Sequence, residues 1–252
     1  MKYLLLIIIS LPTFLISQNE QKNSKLLFDD VLPLGVTLGY QQNFVDNDPT
    51  IGYDYNLDFN DHFIVGLDWM FVRTGKFLFK TGVYYESFNW EGSLRVPGSF
   101  LGQASDFIEN DRRNLSFYTF ELGSEYLFKL SKKDQLSIGL SIDMRWLNKD
   151  DKFARGRVLT NEENENQLLF INQSTNDGFI DYPVSINYYR KTENLGLFKI
   201  GLSGSMFGSA DVYSDQLEYF DAENEVFRRS LHTINRSHLQ FSLSWFPSKS
   251  LF

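Results

Sequence analysis

The chain has 252 residues, 16% of them aromatic, no cysteine, and a formal net charge of −8. Without cysteine there is neither a disulfide framework nor a lipidated cysteine behind a leader, and the acidic balance argues against a nucleic-acid partner, which wants a basic face. The length fits one domain, since single β-barrels routinely reach this size.

The opening residues, MKYLLLIIISLPTFLIS, set Lys2 before an apolar run from Leu4 to Ile16, and polar QNEQKNSK follows. That order predicts a secretory signal peptide over residues 1–17, cleaved after Ser17. The run is shorter than a spanning helix wants, and it contains Pro12. Residues 18–30 then read as a short periplasmic lead-in. No later apolar run is long enough for a transmembrane helix.

From residue 31 onward the signal is parity, because alternate residues of a strand face opposite sides. Leu32, Leu34, Val36, Leu38 and Tyr40 share one face against Gly35, Thr37, Gly39 and Gln41. After VDNDPT, odd residues from Ile51 to Phe59 and from Phe63 to Phe71 stay apolar, with only Asp61 interrupting. One long strand or two short strands across 51–73 fit this pattern, and the unbroken phase favours one. RTGK makes a tight turn into Phe77, Phe79, Val83 and Tyr85. Tyr118, Phe120, Leu122, Tyr126 and Phe128 come next, then the turn SKKD, then even residues from Leu136 to Trp146. Ile180 to Tyr188 form a further face, and KTENLG leads to Phe198, Ile200, Leu202 and Met206. The last strand, SHLQFSLSWF, alternates Leu239, Phe241, Leu243 and Trp245 with Gln240, Ser242 and Ser244.

Eight strands, short turns on one side and long loops near 93–113, 147–177 and 208–235 on the other give the pattern of a membrane barrel. The polar parity is rich in Gly and Ser and poor in charge, whereas soluble barrels and sandwiches expose their polar parity to water. The expected fold is therefore all-β: an antiparallel up-and-down transmembrane β-barrel of eight strands over residues 31–252, preceded by the signal peptide. The expected place is the outer membrane of a Gram-negative bacterium, with both termini periplasmic.

Phe241, Leu243, Trp245, Phe246 and Phe252 resemble the aromatic C-terminal signal by which outer-membrane proteins are recognised by the barrel-assembly machinery. Pro247 departs from that signal, so either Phe246 is the working aromatic or Phe252 is, after a bend. Over Leu32–Phe252 the chain resembles the small eight-stranded outer-membrane proteins of the OmpA transmembrane-domain and OmpX kind. The resemblance implies architecture and location, with outer-membrane lipid and the assembly machinery as partners, and it implies no activity.

The parity expected to face inward carries Asp68, Asp181 and Arg236 along with Lys80, Glu86, Glu121, Glu125, Asp143, Arg145 and Lys199. Eight-stranded barrels have interiors just wide enough for side chains, and enclosed charges must be paired. Lys80, Glu86, Glu121, Glu125, Asp143, Arg145 and Lys199 are thus expected to form a packed charge network rather than line an open pore. A narrow small-solute channel is one alternative, and a membrane-embedded lipid-modifying enzyme another. For the enzyme, the histidines are His62, His232 and His238. Ser230 and His232 share a face, but no acidic residue follows His232, and a carboxylate would have to come from Glu223 or Glu225 across the hairpin. Ser237 and His238 point to opposite faces. The acidic clusters DNDP and NEENEN lack EF-hand spacing, so no cofactor, metal ligand or catalytic residue is assigned. RVLTNEENENQLLFIN and QLEYFDAENEVFRRSL read as hairpins clear of the membrane. Tyr219, Phe220 and Phe227 are the candidates for contact with a protein partner, unless these hairpins simply extend the barrel wall. The favoured function is non-enzymatic, structural or exercised through the loops.

Overall fold

The computed structural model describes residues 28–43, 54–99, 103–148, 154–160, 167–174, 178–205, 213–221, 226–233 and 238–251. The expected signal peptide and Phe252 lie outside the described residues. Among the described residues thirteen strands follow one another: β1 (Leu34–Asn43), β2 (Asp54–Thr74), β3 (Phe77–Val96), β4 (Phe107–Lys129), β5 (Asp134–Leu147), β6 (Ala154–Thr160), β7 (Gln167–Ser174), β8 (Gly178–Asp181), β9 (Val184–Thr192), β10 (Gly196–Ser205), β11 (Tyr213–Asp221), β12 (Val226–Thr233) and β13 (His238–Pro247). A 3-10 turn over Lys249–Leu251 follows. No helix among the described residues is long and apolar enough to cross a membrane, which says nothing about a β-barrel.

The architecture is a closed antiparallel barrel of eight staves. Each strand pairs with its neighbour in the meander, and β13 returns to β1, with Val36 opposite Trp245 and Asn43 opposite His238. Closure leaves no sheet edge along the shared height of the staves. β8 and β9 form one stave, since both pair with β5. The stave is interrupted at Tyr182-Pro183, as a residue without an N–H must interrupt a ladder, yet the Pro183 carbonyl still accepts from Ser141 N at 3.1 Å. The RTGK turn depends on Gly75, whose φ of 58° suits glycine.

Staves extend past the barrel at the end opposite the short turns. β2, β3 and β4 contain 21, 20 and 23 residues and rise together as a three-stranded wall. β6, β7, β11 and β12 make a four-stranded sheet in the order β12-β11-β7-β6. Its order repeats that of the staves beneath: β6 follows β5, β7 precedes β8, β11 follows β10 and β12 precedes β13. The expected hairpins are therefore β6–β7 and β11–β12, and the pairing of β7 with β11 joins them in the sequence of the barrel wall.

Two expectations are corrected here. The loop expected near 93–113 shrinks to residues 97–106, because β3 runs on to Val96 and β4 starts at Phe107. Parity missed these strand ends because their outward residues are polar, as in the pairs Glu91–Arg112 and Ser93–Asn110. The second correction concerns β2, which is one strand but not in one register. A bulge between Asn60 and Phe63 shifts the register by one residue. Below it Phe63, Val65, Leu67 and Trp69 point outward. Above it Tyr55 lies opposite Leu94 and Leu57 opposite Gly92. Leu94 and Val96 stay 2% and 0% exposed, so the inner side of the projecting wall is covered.

Candidate functional site

Barrel strands turn one parity into the lumen, and each described charged residue expected there is buried there: Asp68, Lys80, Glu86, Glu121, Glu125, Asp143, Arg145, Asp181 and Lys199. Arg236 lies outside the described residues. The charges form two groups.

Nearer the short turns, Lys80 Nζ lies 2.7 Å from Glu121 and 3.4 Å from Glu125. Lys199 Nζ lies 2.6 Å from Asp68. The Tyr84 hydroxyl sits between Asp68 and Glu121, 2.6 Å from the latter; with one proton it donates to one carboxylate at a time. Thr37 and Ser244 donate to Asp68 at 2.8 and 3.0 Å, and Ser137 and Tyr189 to Glu125 at 2.5 and 2.7 Å. The Tyr84 ring lies over Gly66 and Gly82, where a Cβ would collide with it.

Further up, Arg145 contacts Glu86 at 3.1 Å, Asp143 at 3.5 Å and Asp181 at 3.8 Å. His62 Nε2 is 3.3 Å from Glu86, and His238 Nδ1 is 3.5 Å from Asp181. Thr119 donates to Glu86 at 2.6 Å, and Ser205 donates to Asp181. Six carboxylates thus share three permanent cations and two imidazoles. Hydroxyl donors supply the difference, as an unpaired buried carboxylate is very costly.

An apolar plug fills the turn end of the lumen, and a smaller apolar cluster lies toward the loop end. At the turn end Val31, Met70, Leu78, Leu127, Tyr189, Leu197 and Phe246 pack together, with Phe28 against them. The lead-in reaches this plug by folding under the barrel. Leu32 N donates to Pro247 O at 2.8 Å, Lys249 N donates to Asp30 O at 2.9 Å, and Arg73 lies 5.0 Å over the Phe28 ring. At the loop end Leu115, Phe117 and Leu147 pack with Phe179. Between the two remains a cavity of about 30 Å³ bordered by Thr37, Lys80, Tyr84, Glu121, Asp143 and Lys199, room for roughly two waters. Among the described residues no group of side chains is arranged to hold a metal ion.

The other candidates separate. Phe241, Leu243 and Trp245 point outward, but Phe246 is 1% exposed and belongs to the lower plug, so it does not continue their row. Phe220 is exposed and lies opposite Phe227 in β11–β12, while Tyr219 lies opposite Arg228. His62 and His238, weighed in the sequence only as catalytic groups, are neighbours of lumen carboxylates; their even parity, shared with Asp68 and Ser242, was the available signal. In β11–β12 the register sets Asp215 opposite His232 and Leu217 opposite Ser230. The residue of the neighbouring strand opposite His232 is thus Asp215, and Glu223 and Glu225 lie outside the described residues. Outside the barrel, Asp106 accepts from Gly98 N at 3.1 Å and from Arg95 Nε at 2.8 Å. The Gly98 N–H first, and the Arg95 side chain second, hold its carboxyl below the usual aspartate range.

The chain matches no protein-family model and no curated protein.

Proposed function

We propose that the protein is a non-enzymatic outer-membrane β-barrel with a closed, charge-packed interior, exposing its short turns to the periplasm and its long strands and hairpins to the outside. One observation carries the reading: the barrel is inverted, with charges buried and the apolar parity exposed on every stave. Leu38, Phe63, Val83, Leu140 and Phe241 are each more than half exposed, while Lys80, Glu86, Glu125 and Arg145 are buried. A continuous apolar belt of this kind exceeds what soluble monomers leave to water, and hydrocarbon is the solvent that suits it.

Aromatic rows border the belt. Trp69, Phe77, Phe128 and Trp245 stand toward the turns, and Tyr40, Phe63, Tyr85, Tyr118 and Trp146 toward the loops. From Leu136 to Trp146 the stave rises about 25 Å at ~3.3 Å per residue and ~40° tilt, the height of the apolar band in such barrels. Above the upper row the outward residues become polar, as with the Ser87–Asn114 bond and the Glu91–Arg112 ion pair. The turn-end plug and the paired lumen charges favour a structural or loop-mediated role over solute passage.

Electrophoresis of the detergent-purified protein tests this. The unboiled barrel is expected to migrate differently from the boiled chain, and planar bilayers are expected to show no steady conductance. Recovery as a detergent-free monomer refutes the reading. The register of Asp215 with His232 favours a second reading, hydrolysis of an acyl ester at the outer sheet, with Ser230 as nucleophile and His232 as base. Deacylated lipid A in cells expressing the protein, lost in His232→Ala and in Asp215→Asn, would establish it in place of the first.

A further inference from the structure

Seven of the eight joints in the barrel connect staves that follow one another in the chain, and the eighth connects β13 to β1. A ladder from Val36–Trp245 to Asn43–His238 holds that joint. At its foot the Phe246 ring occupies the space that a Cβ on Gly35 would need, so the ring packs over β1. Below the rim the pairing resumes through Phe28–Pro33. Val31 bridges Ser248 in the antiparallel sense, Leu32 N donates to Pro247 O at 2.8 Å, and Lys249 N donates to Asp30 O at 2.9 Å.

The same segment grips the mouth of the barrel on both sides. Met70 N of β2 donates to Pro33 O at 2.8 Å, and Lys191 of β9 pairs with Asp30 at 2.9 Å. The Phe28 ring stands edge-on to Tyr189 of β9 at 5.5 Å and under Arg73 of β2 at 5.0 Å. In the order β2-β1-β13-β10-β9 these two staves are four places apart in a ring of eight, so they face each other across the mouth. Val31, 3% exposed, enters the plug. Asp30 and Lys191 are 161 positions apart in the chain, and Asp29 and Lys249, joined at 2.8 Å, are 220 apart. Contacts over such separations stay entropically unfavourable until the intervening chain is fixed. Val31 meets Ser248 only when β1 and β13 already lie side by side.

We infer that Phe28–Pro33 is a strap that locks the joint between the first and last staves: it docks after β13 has closed on β1, and its release precedes reopening of the barrel. Interactions formed after the transition state slow unfolding without speeding folding, so the strap sets the lifetime of the closed barrel. The inference rests on closure of the barrel alone and is independent of where the barrel resides.

The chain has no cysteine, so Val31→Cys with Ser248→Cys gives one defined cross-link between bridge partners that lie within disulfide reach. Folding and unfolding rates of the whole protein in detergent micelles, followed by tryptophan fluorescence in urea, provide the test. Oxidation of this pair is expected to slow unfolding roughly ten-fold or more relative to the reduced form. The control is Glu91→Cys with Arg112→Cys, register partners on consecutive strands away from the joint. Its oxidation is expected to change the unfolding rate by less than about two-fold. Phe28→Ala is expected to speed unfolding roughly five-fold and to leave the folding rate within about two-fold. The strap is overturned if its cysteine pair does not oxidise in the folded barrel, if oxidation leaves unfolding unchanged, or if the control slows it equally. It is also overturned if Phe28→Ala leaves unfolding unchanged, or lowers the folding rate as much as it raises the unfolding rate. If the strap cysteine pair does not fold, the two rates of Phe28→Ala decide alone.

Discussion

Replacing Lys80 with Met is the most direct probe of the packed lumen. The ammonium group lies 2.7 Å from Glu121 and 3.4 Å from Glu125, with its own side chain 8% exposed. Removing it leaves the two carboxylates unequally provided. Glu125 keeps the Ser137 and Tyr189 hydroxyls, whereas Glu121 keeps a Tyr84 hydroxyl that also serves Asp68. Breaking a buried pair by deleting one partner costs about 3–5 kcal/mol, a large part of a typical stability of about 5–15 kcal/mol. Urea unfolding of the liposome-reconstituted barrel, followed by tryptophan fluorescence, is expected to show that loss. Adding Glu121→Gln to Lys80→Met is expected to restore about 1–3 kcal/mol, because the neutral amide no longer needs the cation. Adding Glu125→Gln is expected to restore less. A loss below about 1 kcal/mol, the worth of an exposed pair, together with no recovery in the double variant, would mean that water solvates these charges and the interior is open.

Phe246→Ala empties the lower plug and is expected to cost about 3–5 kcal/mol, measured in the same unfolding assay. Conductance should stay near baseline in this variant, because the paired charges of the lumen remain in place. Gly66→Ala is expected to drive its Cβ into the Val83 carbonyl and the Tyr84 ring, straining the β2–β3 pairing and pushing Tyr84 from Asp68 and Glu121, at roughly 1–3 kcal/mol or more for overpacking; a Tyr84→Phe background should blunt only the part due to lost hydrogen bonds. For Asp106 the depressed carboxyl pKa means that its grip on the 97–106 loop is complete above the ordinary aspartate value of 3.8 and fades as pH falls through its lower folded value. Hydrogen exchange of that loop is expected to be flat from neutral pH to about 4, once corrected for the intrinsic pH dependence. Asp106→Asn should lose protection throughout that range.

The staves and their inward charges were legible because one physical contrast, apolar against polar, acts on alternate residues. β5 shows why: six apolar side chains from Leu136 to Trp146 keep one parity without exception. The contrast weakens wherever both faces meet similar surroundings, and there the reading failed. Arg95, Ile108, Asn110 and Arg112 lie on ordinary strand, yet they carry no apolar alternation to announce it. The bulge in β2 was hidden for another reason. Odd residues other than Asp61 remain apolar from Tyr53 to Phe71, but the extra residue shifts the register midway, which only pairing with β3 exposes. Long-range adjacency was equally invisible. His62 reaches Glu86 on the neighbouring strand and His238 reaches Asp181 past β10, and Asp215 lies opposite His232 through hairpin register. The lower plug escaped notice because Phe246, beside Trp245 in sequence, looks like one more outer aromatic until its side is known.

That single added residue between Asn60 and Phe63 lets one continuous strand hold two registers against β3. Upstream length can grow or shrink in pairs of residues while the downstream stave keeps its phase, so the projecting wall and the embedded barrel are free to diverge separately. Losing one residue at that point would slide the upper part of β2 by one place against Leu94 and Gly92. The penalty would then fall on the projecting wall, with the barrel beneath left intact.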